Sequence, residues 1–158
     1  MVNGVAAGAG FNIVLACDIV ICAKSARFAQ SFSKIGLIPD CGGTYLLPRA
    51  MGLHKAKELM FTADLISSEG AKQYGFVNYL VEDEDLTETT YKFAKKLASS
   101  APVALRFIKK ILNQSYELSL DSALKLEASL QSFCIQTKDS KEGIQAFKQK
   151  RTPVFIGK

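Results

Sequence analysis

The sequence predicts an α/β fold in two parts. Short strands alternate with short helices over residues 1–85, and helices alone fill 86–158. Three observations carry this. Ile19-Val20-Ile21-Cys22-Ala23 is a β-branched, apolar run of strand length. Glycine- and proline-bearing turns cut the first part into short segments. After residue 85 the apolar residues recur at helical spacing.

In order, Met1-Val2-Asn3-Gly4 leads into Ala6-Ala7-Gly8-Ala9-Gly10, a strand end turning tightly into a buried helix over Gly10 to Cys17. Strands follow at Ile19–Ala23 and Ala26–Gln30, while Ser33 to Ile38 is ambiguous. Pro39-Asp40-Cys41-Gly42-Gly43 is a sharp turn. Helices are predicted at Thr44–Met51 and His54–Phe61, broken at Gly52. Thr62 to Ile66 is an extended link. Ser67-Ser68-Glu69 opens a short helix that Gly75 stops, and Phe76–Val81 is a strand.

The acidic run Glu82-Asp83-Glu84-Asp85 favours the start of the next helix. That helix carries Leu86, Thr90, Phe93, Ala94 and Leu97. Pro102 opens another, striped by Ala104, Phe107, Ile108, Ile111 and Leu112. Ser119 caps a third, with Leu120, Ala123, Leu124, Leu130 and Phe133. Asp139 is the expected cap of a fourth, which carries Ile144 and Phe147 and ends at Arg151-Thr152-Pro153. These stripes need a partner surface.

Composition narrows the function classes. The chain is 48% hydrophobic and 22% charged, an ordinary globular balance. Its net charge of +5 comes from residues 102–158, with ten basic and five acidic residues against ten and ten before them. No aromatic interleaving or base-reading motif accompanies that charge, so nucleic acid is disfavoured. His54 is the only histidine and no C-x-x-C occurs, so no metal site is expected. Cys17, Cys22, Cys41 and Cys134 are expected to be reduced, mostly as packed small hydrophobes. No apolar stretch reaches eighteen residues. A soluble, cytoplasmic protein with no membrane contact is expected.

Two turns hold the candidate chemistry. Gly8-Ala9-Gly10 is not G-x-G-x-x-G, because Ile13 stands where the third glycine would be. Either its glycines allow close helix–strand packing, or the Ala9 N–H faces an anionic oxygen. Asp40 follows a proline in the second turn. It is either a helix N-cap or a carboxylate held for proton transfer. Glu58, Glu69 and Glu142 fall on predicted helices, as solvated or capping residues.

These two turns carry a resemblance. Val2-Asn3-Gly4 with Gly8-Ala9-Gly10-Phe11-Asn12 and Cys17-Asp18 is similar to the signature of the enoyl-CoA hydratase/isomerase family, the crotonase superfamily. Phe28-Ala29-Gln30 with Gly36-Leu37-Ile38-Pro39-Asp40-Cys41-Gly42-Gly43-Thr44 continues it. So do Leu47-Pro48-Arg49, Glu69-Gly70-Ala71 and Gly75-Phe76-Val77-Asn78, and then Glu142-Gly143, Ala146-Phe147, Lys150-Arg151 and Pro153-Val154-Phe155. The motifs fall in order along essentially the whole chain.

The resemblance implies the C-terminal part of a crotonase-like β-β-α spiral over 1–85. Over 86–158 it implies a helical region that mediates homo-trimers or hexamers and contacts coenzyme A. An N-terminal portion with a second oxyanion donor and much of the coenzyme A pocket is expected to lie outside these residues. The implied activity is isomerisation of an acyl-CoA in the intact enzyme, with no permanently bound cofactor and coenzyme A as the thioester moiety of the substrate. Residues 1–158 alone are expected to turn over negligibly.

Asp40 and the Ala9 backbone N–H are the implied catalytic groups. Ala7, Gly8, Gly10, Phe32, Pro39, Gly42, Phe147 and Lys150 are the implied substrate-binding residues. Asn12 and Phe32 stand where hydratases carry their two glutamates, which speaks against the usual hydration route. Phe32 is expected to dry the pocket and make Asp40 a better base. Asp40 resembles the base of ring-epoxide and double-bond isomerases of phenylacetyl-CoA breakdown. It also matches the nucleophile position of 4-chlorobenzoyl-CoA dehalogenases. The open alternatives are a hydratase, a dehalogenase-like enzyme and a catalytically silent acyl-CoA-binding or assembly member. Lys148 and Arg151 join Lys150 as candidates for the coenzyme A phosphates, and Phe147 for its adenine. The other reading of Phe147 is core packing.

Overall fold

Very short strands and a cluster of three phenylalanines organise the first part of the chain. The computed structural model describes residues 1–158, which divide into two compact units, Met1–Lys92 and Phe93–Lys158.

In the first unit β1 (Val5–Ala7) pairs in parallel with β3 (Arg27–Ala29), and β3 pairs antiparallel with β4 (Ile66–Ser67). A second small sheet joins β2 (Ile21–Ala23) in parallel to β5 (Tyr79–Val81), with Val2 bridging Cys22. The strands are shorter than the apolar runs that announce them. Ile19 is solvent-exposed, and Phe76 and Val77 reach the core from the loop before β5.

Helix α1 (Ala9–Leu15) lies against this core through Phe11. The rings of Phe11, Phe28 and Phe76 meet pairwise at centroid separations of 5.1–5.3 Å. They tie α1, β3 and the approach to β5 together. Only Phe11 and Asn12 of α1 are fully buried and Ile13 faces solvent, so the helix is less buried than expected. A 3-10 turn, Ser31–Ile35, occupies the segment that sequence leaves ambiguous.

Helices α2 (Gly43–Met51) and α3 (Leu53–Thr62) follow, separated at Gly52, whose φ of +84° suits glycine. α4 (Ser68–Gln73) is capped by Ser67, whose Oγ accepts from Gly70 N at 3.1 Å.

α5 (Leu86–Ala98) crosses the boundary between the units. In the second unit α6 (Pro102–Leu112) packs on α7 (Leu120–Ile135), and Phe107 meets Phe133 edge-on at 5.8 Å. Ser119 caps α7 as expected, accepting from Ser122 N at 3.2 Å. The cap of α8 (Lys138–Gln149) is Thr137 rather than Asp139, accepting from Ser140 N at 3.0 Å. Asp139 is instead buried. Its carboxylate accepts the backbone N–H groups of Ile156 at 2.8 Å and Gly157 at 2.9 Å, which clasps the C-terminal segment onto α8. Asp139 and Ala146 are the only fully buried residues of 93–158, so the apolar stripes of α6 and α7 stay largely exposed.

Candidate functional site

The glycine turn before α1 is locked by backbone geometry. Gly8 has φ +53°, and a Cβ there would lie 3.5 Å from the Phe32 ring. Its N–H donates to Ala29 O at 2.9 Å and its carbonyl accepts from Asn12 N at 3.1 Å. Ala9 is the first residue of α1, so no earlier turn of the helix supplies its N–H with an acceptor. Ala7, paired with Ala29, and Gly10 are exposed. A Cβ on Gly10 would meet nothing within 4 Å, so packing inside this chain does not require glycine there.

The second turn is held differently. Cys41 and Gly42 adopt consecutive left-handed conformations, φ +48° and +78°, between half-buried Pro39 and the start of α2. This is sterically easy for Gly42 and unfavourable for Cys41. Asp40 does not cap α2 with its side chain; the N-cap residue is Gly42. The carbonyl of Asp40 closes the turn instead, accepting from Gly43 N at 2.9 Å. The same carbonyl accepts from Asn12 Nδ2 at 2.8 Å, and Asn12 Oδ1 accepts from Gln30 Nε2 at 2.6 Å. Asn12 is 0% exposed and Gln30 1%. A Cβ on Gly43 would lie 2.6 Å from Asn12 Cγ, so only glycine lets the turn approach so closely.

The Asp40 side chain itself is exposed. The neighbouring Asp40 carboxylate favours the protonated Cys41 thiol and holds it above its ordinary pKa, because a thiolate beside a carboxylate is disfavoured. Phe32 is buried in the 3-10 turn, with its ring beside Gly8. The fold thus brings Gly8, Phe32, Asn12, Gln30, the Asp40 turn and Gly43 together.

Phe147 and Lys150 belong to the second unit, near the end of α8. Phe147 is 85% exposed, so it is not a core residue of this chain. Lys150 is exposed with φ +55°. Arg151 makes a two-pronged ion pair with Glu142, at 2.6 and 2.8 Å. Val154 N donates to the same carboxylate at 2.9 Å, and together these hold the Glu142 carboxyl at a pKa of about 2. Glu58 pairs with Lys55, and Glu69 accepts from Ser68.

All four cysteines are unpaired. Cys17 and Cys41 are exposed, so only Cys22 fits the expectation of a fully packed small hydrophobe. No group of three His, Cys, Asp or Glu side chains is arranged to hold a metal ion. No helix is long and apolar enough to cross a membrane. The sequence reading missed what Asn12 and Gln30 do. Their signal is an amide next to Phe11 on an apolar helix and another at the end of an apolar strand, since buried amides need partners.

The family description of enoyl-CoA hydratase/isomerase proteins matches residues 1–158. A 1,2-epoxyphenylacetyl-CoA isomerase of Escherichia coli is 45% identical over 157 residues, covering 99% of this chain and 60% of that protein. A crotonyl-CoA hydratase of Syntrophomonas wolfei is 38% identical over the same shares. Among solved structures, an enoyl-CoA hydratase from Bacillus anthracis superposes with a TM-score of 0.94 at 40% identity, covering 98% of this chain and 60% of that one. The chain belongs to the enoyl-CoA hydratase/isomerase family, and its α/β architecture is that of the C-terminal portion of the crotonase fold. It spans about 60% of the length of these relatives.

Proposed function

We propose that this chain carries the proton-transfer half of an acyl-CoA isomerase that acts on an enoyl-CoA double bond or a ring epoxide in the intact enzyme. The observation that carries the reading is Asp40, an exposed carboxylate on a backbone pinned by a buried amide. The thioester oxygen, polarised by the Ala9 N–H and a second donor outside these residues, acidifies the adjacent carbons. Asp40 takes a proton from one carbon and returns it to another, with no water to activate. Ala7, Gly8, Gly10, Phe32, Pro39 and Gly42 contribute to the acyl surface, with Phe32 closing the position a second carboxylate would occupy. Phe147 and Lys150 contact coenzyme A, and no cofactor is permanently bound.

A crotonyl-CoA hydratase among the relatives supports a second reading, hydration of a 2-enoyl-CoA. Against it, Asn12 and Phe32 offer neither acid nor base. Product analysis with 3-enoyl-CoA, 2-enoyl-CoA and 4-halobenzoyl-CoA tests the proposal on the enzyme completed by its N-terminal portion. A shifted double bond in the first substrate is expected. A 3-hydroxyacyl product from the second, or halide release from the third, without isomerisation would overturn it.

The exposed apolar residues Ile108, Leu112, Leu124 and Phe133 support assembly into a homo-trimer or hexamer. The four unpaired thiols support a cytoplasmic setting.

A further inference from the structure

We propose that Asn12, oriented by Gln30, is a positioning residue that sets the place of Asp40 relative to the start of α1. This rests on the reading of Asp40 as the base. The orientation of the pair follows from one fixed group. The Asp40 backbone carbonyl can only accept, so the NH2 of Asn12 must face it. The Asn12 oxygen is then left facing Gln30, which must donate. All of this is shut away from water, with Asn12 and Gln30 at 0% and 1% exposure. In that setting, a donor lost or reversed costs more than at the surface.

The strut has a geometric purpose. Ala9 and Asn12 are the first and fourth residues of one helix, about one turn apart on the same face. The element that begins with the proposed oxyanion donor therefore also grips the turn that carries the base. A carboxylate at position 12 would set two acceptors against each other and push the Asp40 turn away. The position at which hydratases carry a glutamate thus holds a donor here, and the donor is committed to the main chain.

Cys41 supplies a readout that is independent of turnover, because its thiol is exposed and its acidity depends on the neighbouring Asp40 carboxylate. The rate of Cys41 alkylation by iodoacetamide is followed against pH by peptide mass spectrometry. It is measured in this chain and in its Asp40→Asn, Asn12→Leu and Gln30→Met variants. Asp40→Asn calibrates the profile by moving its midpoint to lower pH. Asn12→Leu, which removes the donor without adding charge, is expected to move it at least halfway to that position while circular dichroism stays native, and Gln30→Met in the same direction by less. In the completed enzyme Asn12→Leu is expected to lower kcat roughly 10–100-fold with KM changed less than about threefold, the pattern of a misplaced group rather than lost binding.

A native Cys41 profile in a folded Asn12→Leu variant overturns the proposal. If that variant does not fold, Gln30→Met decides on the same criterion. Failure of both to fold assigns the pair to stability and also overturns it. Unchanged turnover in Asp40→Asn would instead refute Asp40 as the base and leave the alkylation result standing.

Discussion

Gly43 and Asn12 stand closer than any side chain on residue 43 would permit: a Cβ there would fall 2.6 Å from Asn12 Cγ. Helix propensity and sterics therefore predict opposite signs for Gly43→Ala. Gly43 opens α2 without a left-handed φ, so propensity alone favours alanine by up to about 1 kcal/mol. The clash falls on a buried amide that cannot swing away, and overpacking of this kind costs about 1–3 kcal/mol. The clash should win. Thermal melting is expected to place Gly43→Ala below the parent, and a higher melting temperature would show that Asn12 yields at little cost.

On the proposed reading of Asp40 as the base, Asp40→Asn should remove proton transfer while keeping the turn, because the turn is held by the Asp40 carbonyl. Loss of a positioned general base costs roughly 10²–10⁴-fold in rate. Steady-state isomerisation by the completed enzyme measures the loss, with substrate affinity as the control.

The two exposure extremes among the phenylalanines give a paired test. Phe28 is fully buried in the aromatic trio, and Phe147 is 85% exposed. Phe28→Ala should destabilise by about 3–5 kcal/mol. Phe147→Ala should stay within about 0.5 kcal/mol. Urea unfolding separates the two. A large effect of Phe147→Ala on coenzyme A affinity alone would place that ring at the ligand.

Glu142 gives a pH dependence with a defined sign. Its carboxyl lies at about 2, against an ordinary 4.5, because Arg151 and Val154 N–H favour the charged form. A depressed carboxyl adds stability in full above about 4.5, and that contribution is lost as pH falls through about 2. The difference in melting temperature between the parent and Arg151→Gln should therefore shrink on going from pH 5 to pH 2. A difference that stays constant over that range would show that the pair does not couple to folding.

Self-association is expected from the second unit. The α6 and α7 stripes bury no residue fully within the chain, and Ile108, Leu112 and Phe133 are each more than half exposed. Light scattering should show trimers or hexamers in the micromolar range. A stable monomer would count against the assembly.

Much of this was legible in the sequence, for identifiable reasons. Gly52, Gly75, Ser67 and Ser119 work through local backbone rules, and each does in the structure what those rules predict. The expected Asp139 cap gives way to Thr137, an equally good cap two residues earlier. The real partners of Asp139 lie 17 and 18 residues downstream. Asn12 and Gln30 were invisible as a pair for the same reason. Asn12 reaches Asp40 across 28 residues and Gln30 across 18, and no local pattern encodes such a contact. The expected strands run longer than the paired ones, since burial of Val20 and Val77 does not require ladder pairing.

Asp40 is tied down by its main chain, while its exposed carboxylate lies beside the Cys41 thiol. Such an arrangement works like a crane: the pivot is bolted to a buried frame, and the jib sweeps an arc set only by two side-chain torsions. Two carbons on that arc can be served in turn by one carboxylate, and a carbon off it cannot. On the proposed isomerase reading, the bond migrations open to the enzyme depend on the position of the pivot. Substitutions that move the Asn12 frame by a fraction of an ångström should change the choice of product before they abolish the reaction.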